Sequence, residues 1–80
     1  MSNPENKMTY GQKAVGLTFN PSGDKMVNRI KELYAEIIDA CNDGRDQVAP
    51  SGEQKRLFSV AITEAQSAQM WAVKAITYRD

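Results

Sequence analysis

Residues 51–78 read SGEQKRLFSVAITEAQSAQMWAVKAITY, with no proline and with no glycine after Gly52. Ser51 is followed three residues later by Gln54, which is the pattern of a capping box and predicts the start of a helix. A helix of about 26 residues extends about 39 Å at 1.5 Å per residue. The stretch therefore predicts one long helix over residues 51–78.

The apolar side of this predicted helix is rich in alanine. Five alanines recur at spacings of three and four residues, namely Ala61, Ala65, Ala68, Ala72 and Ala75. Larger apolar residues flank them on both sides, namely Phe58, Ile62, Met70, Trp71, Val73 and Ile76. Small residues let a partner helix approach closely, and the flanking large residues widen the apolar surface beyond one face. Because one partner helix cannot cover so wide a surface, the pattern predicts that the chain is a subunit of a homo-oligomer.

The composition supports the same expectation. A chain of 80 residues forms one domain at most, and its core is marginal unless something else stabilises it. The single cysteine, Cys41, has no intramolecular partner for a disulfide, and the absence of histidine argues against a conventional zinc site. Oligomerisation remains as the stabilising device.

Charge and hydropathy narrow the class of partner. Ten basic and ten acidic residues balance, which argues against a general DNA- or RNA-binding surface. No apolar run approaches the length of a membrane span, and the first residues, MSNPENK, lack the hydrophobic core of a signal peptide. We therefore expect a cytoplasmic protein with no membrane partner.

A second helix is predicted before the long one, over residues 20–41. Asn20 suits the N-cap and Pro21 the first helical position, with Ser22 as the cap of a slightly later start. The apolar residues at helical spacing are Met26, Val27, Ile30, Leu33, Tyr34, Ile37, Ile38 and Cys41. A short, turn-rich connection follows at residues 42–50. The fold class is therefore all-α, an antiparallel two-helix hairpin within a single domain, assembled as a homo-oligomeric helical bundle.

Residues 1–19 are predicted to form an N-terminal arm. Residues 1–7 are polar and suggest a loose start. Val15, Leu17 and Phe19 alternate with smaller residues, a strand-like pattern that predicts an extended arm pressed onto helices, including those of a neighbouring copy. The alternative is a flexible tail.

The charges of the first predicted helix indicate an anion site. Lys25 and Arg29 lie near its start, where the helix dipole disfavours cations by about 0.3–1 kcal/mol each, and Asp24 offsets part of that cost. A helix start also offers unpaired backbone N–H groups. Lys13 would add a third positive charge and Tyr10 a ring on which a base can stack. The pattern fits a phosphate that carries an aromatic base, although a capped helix start beside a lysine also has a purely structural explanation.

The evidence for catalysis in the sequence is weak. Glu32, Glu36 and Asp39 share one side of the first predicted helix, as magnesium ligands do in all-helical nucleotide pyrophosphohydrolases. The second helix lacks a matching acidic pair, because Glu64 stands alone, so a solvated face is the simpler interpretation. With no histidine and with Cys41 on an apolar face, no nucleophile–base pair is evident. We expect no catalytic residue, metal or cofactor, and keep a magnesium-dependent pyrophosphohydrolase and a helical protein-interaction adaptor as alternatives.

The sequence also resembles a known family. Residues 56–76, RLFSVAITEAQSAQMWAVKAI, are similar to the second helix of phage anti-CBASS and Thoeris anti-defence proteins that share a helical hairpin domain. The resemblance lies in Arg56, in the segments 61–63 and 70–71, and in the surrounding alanines. Residues 19–22, FNPS, are similar to the segment that leads into the family's first helix. The match extends from about Tyr10 to Ile76.

The resemblance implies a nucleotide sponge that works in the cytoplasm of an infected bacterium. Members of the family assemble as compact homo-oligomers, typically hexamers, and sequester cyclic oligonucleotides without cleaving them. Pockets between protomers use an aromatic residue and a lysine, which implies roles for Tyr10 and Lys25, with Asn20 and Ser22 near the phosphates. Arg56 corresponds to a basic residue that serves a separate pocket in some relatives. Members of the family take cyclic dinucleotides, cyclic trinucleotides or cyclic ADP-ribose isomers.

Overall fold

A computed structural model describes residues 7–48 and 51–80 of the chain. Within those residues the chain forms the helices α1 (Tyr10–Val15), α2 (Lys25–Asp43) and α3 (Gly52–Thr77), with a π-helical turn at Gly44–Val48. The described residues contain no strand, so the prediction of an all-helical fold is confirmed. The predicted loose start lies almost wholly outside the described residues, as do positions 49 and 50 of the predicted turn.

The long helix agrees closely with its sequence pattern. The Ser51 hydroxyl accepts a hydrogen bond from the backbone N–H of Gln54 at 3.1 Å and caps α3 at its start. Helix α3 runs antiparallel to α2: Arg45, just after the end of α2, donates to the Ser59 hydroxyl near the start of α3 at 3.0 Å. At the other end, Val27 of α2 and Val73 of α3 line the same pocket. The two long helices therefore form the predicted hairpin.

The prediction of an extended arm is wrong. Residues 10–15 form α1, because Thr9 and Gln12 make a reciprocal capping box at its start. Gly16 ends the helix in the left-handed conformation, with φ of 62°, and its N–H bonds back to the last turn. The alternation of Val15, Leu17 and Phe19 thus comes from a helix end followed by a turn, not from a strand.

Helix α1 packs against α2 without space for a side chain at Gly11. A Cβ atom there would lie 2.1 Å from the carbonyl oxygen of Ala35, which is far inside van der Waals contact. The Gly11 N–H also donates to the Asp39 carboxylate at 2.7 Å. Glycine at this position lets the two backbones approach closely, and the bond to Asp39 fixes where they meet.

The first long helix begins later than the sequence predicts. Residues 20–23 form a turn closed by a hydrogen bond from the Gly23 N–H to the Asn20 carbonyl at 3.1 Å. Asp24 is the N-cap, and its carboxylate accepts from the Met26 N–H at 2.7 Å. The assignments of Asn20 or Ser22 as N-cap and of Pro21 as first helical residue are therefore wrong, because these residues build the turn before the cap.

The core formed by the described residues is small. Its buried apolar residues are Val15, Val27, Ala35, Ile38 and Ile62. A larger set of apolar side chains stays exposed, namely Tyr10, Phe19, Met26, Leu33, Ile37, Leu57, Val60, Met70, Trp71 and Tyr78. So much exposed apolar surface on so small a chain is typical of a surface that meets another protein.

Candidate functional site

A pocket of about 260 Å³ opens where α2 begins and α3 ends. The turn between α1 and α2 forms its rim, and the facing sides of α2 and α3 form its apolar wall. Its lining residues are Phe19, Asn20, Pro21, Ser22, Val27, Lys31, Val73 and Thr77. Three of the residues expected to bind ligand, Asn20, Pro21 and Ser22, therefore lie together at one pocket.

Hydrogen bonds within the rim hold it in one conformation. The Asn20 amide donates to the Asp24 carbonyl at 3.0 Å and to the Asn28 side-chain oxygen at 2.9 Å. The Ser22 hydroxyl donates to the Asn20 side-chain oxygen at 2.8 Å and accepts from the Asp24 N–H at 3.2 Å. Both N–H groups of the Asn20 amide and the single O–H of Ser22 are thus engaged inside the rim.

Lys31 lies at the pocket and is 95% buried, with 5% of its surface exposed. Its ammonium group donates to the Gly16 carbonyl at 3.0 Å and to the Phe19 carbonyl. It also lies 5.5 Å from the centre of the Phe19 ring, a cation–π distance. Lys31 therefore ties the segment between α1 and α2 to the middle of α2.

The two cations predicted to mark the helix start have different surroundings. Lys25 is the first residue of α2, and its side chain is exposed, with no carboxylate within 4.0 Å among the residues described. Arg29 lies one turn later, 4.0 Å from the Glu32 carboxylate, and both of those side chains are more than half exposed. Such an exposed pair contributes little to stability, about 0–1 kcal/mol, so Arg29 stays available to a ligand.

Within one protomer, Tyr10 does not approach Lys25. Helix α1 runs antiparallel to α2, so that Gly11 meets Asp39 whereas Asn20 meets Asn28. Those two positions of α2 are 11 residues apart, or about 16 Å along the helix. Tyr10 and the rim of the pocket therefore lie near opposite ends of α2.

Arg45 holds one side of the Tyr10 ring. Its guanidinium lies 5.6 Å from the ring centre and donates to Asn42 at 2.6 Å and to Ser59 at 3.0 Å. About half of Tyr10 remains exposed (46%), which leaves room for a stacking partner. Lys13 is also exposed and lines a second concavity, of about 450 Å³, which Lys31 and Phe19 share.

Arg56 is exposed in the second turn of α3 and pairs with Glu53. Two of its nitrogens donate to the two carboxylate oxygens at 3.0 and 2.7 Å. This bidentate contact lowers the pKa of the Glu53 carboxyl below its usual value and raises the pKa of Arg56. Arg56 is thus paired within its own helix. It lies near the start of α3, which Ser51 caps, and the rim of the pocket lies at the other end of that helix.

Lys31 is not among the site residues predicted from the sequence. It lies four residues after Val27 and four before Ala35, both buried, so a lysine occupies the apolar stripe of α2. A cation in such a position is the signal, because lysine is rarely buried without a specific partner. Its partners are backbone carbonyls, which a sequence pattern does not display.

Two further features concern metal and membrane. No group of three or more acidic or cysteine side chains is arranged to hold a metal ion among the residues that the structure describes. In the same part of the chain, no helix is both long and apolar enough to cross a membrane.

The fold is that of a small helical hairpin, with a pocket at the start of one long helix and a wide apolar surface. The model of the Acb2/Tad1 hairpin domain matches residues 12–77, and the chain belongs to this family. It is the family of anti-CBASS and anti-Thoeris sponges, so the predicted relationship is confirmed. At the level of the family the role is phage anti-defence through cyclic-nucleotide binding, as a sponge rather than an enzyme. Neither a curated protein sequence nor a solved structure gives a significant match to the chain.

Proposed function

We propose that this protein binds cyclic oligonucleotide immune signals and sequesters them without cleavage, which prevents the activation of CBASS or Thoeris effectors. The observation that carries the proposal is the family match over residues 12–77. The proposed ligands are cyclic dinucleotides such as cGAMP, cyclic trinucleotides and cyclic ADP-ribose isomers. The proposed place of action is the cytoplasm of the infected bacterial host, where such signals are made.

We further propose that the active form is a homo-oligomer, with a hexamer as the expected order. The support is the exposed apolar surface of α3, where Trp71 is 68% exposed and Met70 is 62% exposed. Side chains of this size contribute strongly to protein interfaces when they are covered. Covering them with copies of the same chain creates clefts between protomers, and the proposed ligand sites lie in those clefts.

The candidate ligand residues form separate groups that lie far from one another within a single chain. Lys25, Arg29 and the rim residues Asn20, Pro21 and Ser22 lie at or near the start of α2, and Tyr10 lies near its other end. Arg56 lies in the second turn of α3. We therefore propose that Tyr10 of one protomer meets the basic helix start of another, and that Arg56 serves a separate kind of pocket.

The test is isothermal titration of the full chain against a panel of cyclic dinucleotides, cyclic trinucleotides and cyclic ADP-ribose isomers. The proposal expects tight binding of at least one ligand and its recovery, chemically unchanged, after the protein is denatured. A cleaved product formed with magnesium would instead identify a hydrolase. Absence of binding across the panel would refute the sponge and leave the helical adaptor.

A further inference from the structure

The side chains at the rim of the pocket have few free hydrogen-bond donors. The Asn20 amide donates both of its N–H groups, to the Asp24 carbonyl and to the Asn28 side-chain oxygen. The Ser22 hydroxyl donates its only proton to the Asn20 side-chain oxygen. These two residues therefore fix the shape of the rim, and a ligand would have to break existing bonds to use their side-chain donors. A side-chain donor for an incoming anion must therefore come from elsewhere in the pocket.

Lys31 has a spare hydrogen-bond donor, which the side chains of the rim lack. An ammonium group has three N–H donors, and the carbonyls of Gly16 and Phe19 take two of them. No acceptor among residues 7–48 and 51–80 takes the third donor. Since the side chain lines the pocket and is 95% buried, a group that enters the pocket is well placed to receive that bond.

The charge of Lys31 has no carboxylate partner within 4.0 Å in the part of the chain that the structure describes. Burial makes such an unpaired charge costly. The two carbonyl dipoles and the face of the Phe19 ring stabilise the cation without neutralising it. An anion in the pocket would supply the missing negative charge.

We propose that Lys31 is a ligand-binding residue and that the pocket it lines receives a phosphate group. The inference rests on the proposed function only for the identity of the natural ligand, a cyclic oligonucleotide. Ligand pockets are usually about 300–1,000 Å³ in volume. At about 260 Å³ the pocket suits one phosphate-bearing part of a cyclic oligonucleotide, not the whole ring.

The first experiment observes the ammonium group directly. In full-length protein labelled with ¹⁵N-lysine, a buried, hydrogen-bonded ammonium group exchanges slowly enough for its Nζ–H signal to be followed by NMR. Comparison with Lys31→Met assigns the signal. We expect it to shift when inorganic pyrophosphate or cyclic di-GMP is added, and not when sodium chloride of equal ionic strength is added.

The second experiment measures binding by isothermal titration. Lys31→Met should weaken cyclic di-GMP binding by about tenfold or more, as expected for the loss of a charge-assisted hydrogen bond. The matched control is Lys55→Met, which removes an exposed lysine of α3 and should change affinity less than twofold. Circular dichroism and sedimentation establish that both variants fold and assemble like the wild type.

The outcomes separate this inference from the proposed function. If cyclic di-GMP binds while the Lys31 signal shifts with neither anion, the lysine is only structural and the inference fails, although the sponge stands. If pyrophosphate shifts the signal but no cyclic nucleotide of the panel binds, the phosphate pocket stands and the sponge fails. Should Lys31→Met not fold, Lys31→Arg, which keeps the positive charge, assigns the signal by its loss, and the NMR titration of the wild type then decides the matter.

Discussion

Trp71 offers the most direct mutational test of the proposed assembly. It is 68% exposed in the protomer, and a tryptophan side chain has roughly 250 Å² of surface, so about 170 Å² remain to be covered by another chain. At about 25 cal/mol per Å², that area would stabilise the proposed oligomer by about 4 kcal/mol per protomer if it is fully covered. In Trp71→Asp this contribution is lost, and a carboxylate must be desolvated as well.

The expected result is dissociation of the oligomer. A loss of about 4 kcal/mol weakens association about a thousandfold, and sedimentation velocity over a range of concentrations measures the change. Trp71→Phe, which keeps most of the apolar surface, should remain assembled. Lys55→Asp, which introduces the same carboxylate in the first turn of α3 where the helix dipole favours it, should also remain assembled. If Trp71→Asp sediments like the wild type, the face around Trp71 is not the interface.

Three further predictions concern ligand, packing and pH. Lys25→Ala should weaken cyclic-nucleotide binding about tenfold in a titration while sedimentation shows an intact oligomer; wild-type affinity for every ligand would remove Lys25 from the site. Gly11→Ala should lower the free energy of unfolding in urea by about 1–3 kcal/mol, because its Cβ would meet a backbone oxygen of α2 at 2.1 Å. The control Gly52→Ala, whose Cβ would have nothing within 4 Å, should change the free energy of unfolding little. Equal losses in the two variants would contradict the packing of α1 against α2. The hydrogen bonds to Arg56 lower the pKa of Glu53 in the folded state. The pair therefore stabilises the folded protein at pH values above the unfolded pKa of about 4.3, and this stabilisation is lost as the pH falls through the lower pKa of the folded state. In Glu53→Gln that component of the pH dependence below the unfolded pKa of about 4.3 should disappear from the urea midpoints, and an unchanged profile would refute it.

The hairpin was predictable because both long helices carry strong local signals. The Ser51 cap and the uninterrupted run after it fixed the start of α3, and the apolar repeat around Ile38 identified α2. These signals depend on residues within one or two turns of each other. The antiparallel arrangement followed from the short connection between the helices.

Helix α1 was missed because two patterns compete in the same residues. Thr9 and Gln12 form a capping box, and Gly16 is a helix-ending glycine, but the helix between them has only six residues. So short a helix is not stable alone, and its contact with α2 through Gly11 stabilises it. The alternation at Val15, Leu17 and Phe19 resembles that of a strand, and it predicts an extended arm where the chain forms a short helix and a turn.

The pocket was predictable only in part. Asn20, Pro21 and Ser22 are adjacent in sequence, so their meeting at one rim follows from the chain itself. Lys31 reaches that rim only because α1 folds back along α2 and brings the Gly16 carbonyl to it. This contact joins residues 15 apart in the chain and depends on helix α1, which was not predicted. Sequence patterns, which report on nearby residues, therefore do not indicate it.

Native mass spectrometry of the full chain mixed with cyclic di-GMP, cGAMP, a cyclic trinucleotide or a cyclic ADP-ribose isomer tests the central claim most directly, since it reports assembly and ligand together. The account predicts a homo-oligomer whose mass exceeds that of the protein alone by whole numbers of intact ligands. Monomeric protein without bound nucleotide, at concentrations where the chain is folded, would contradict it.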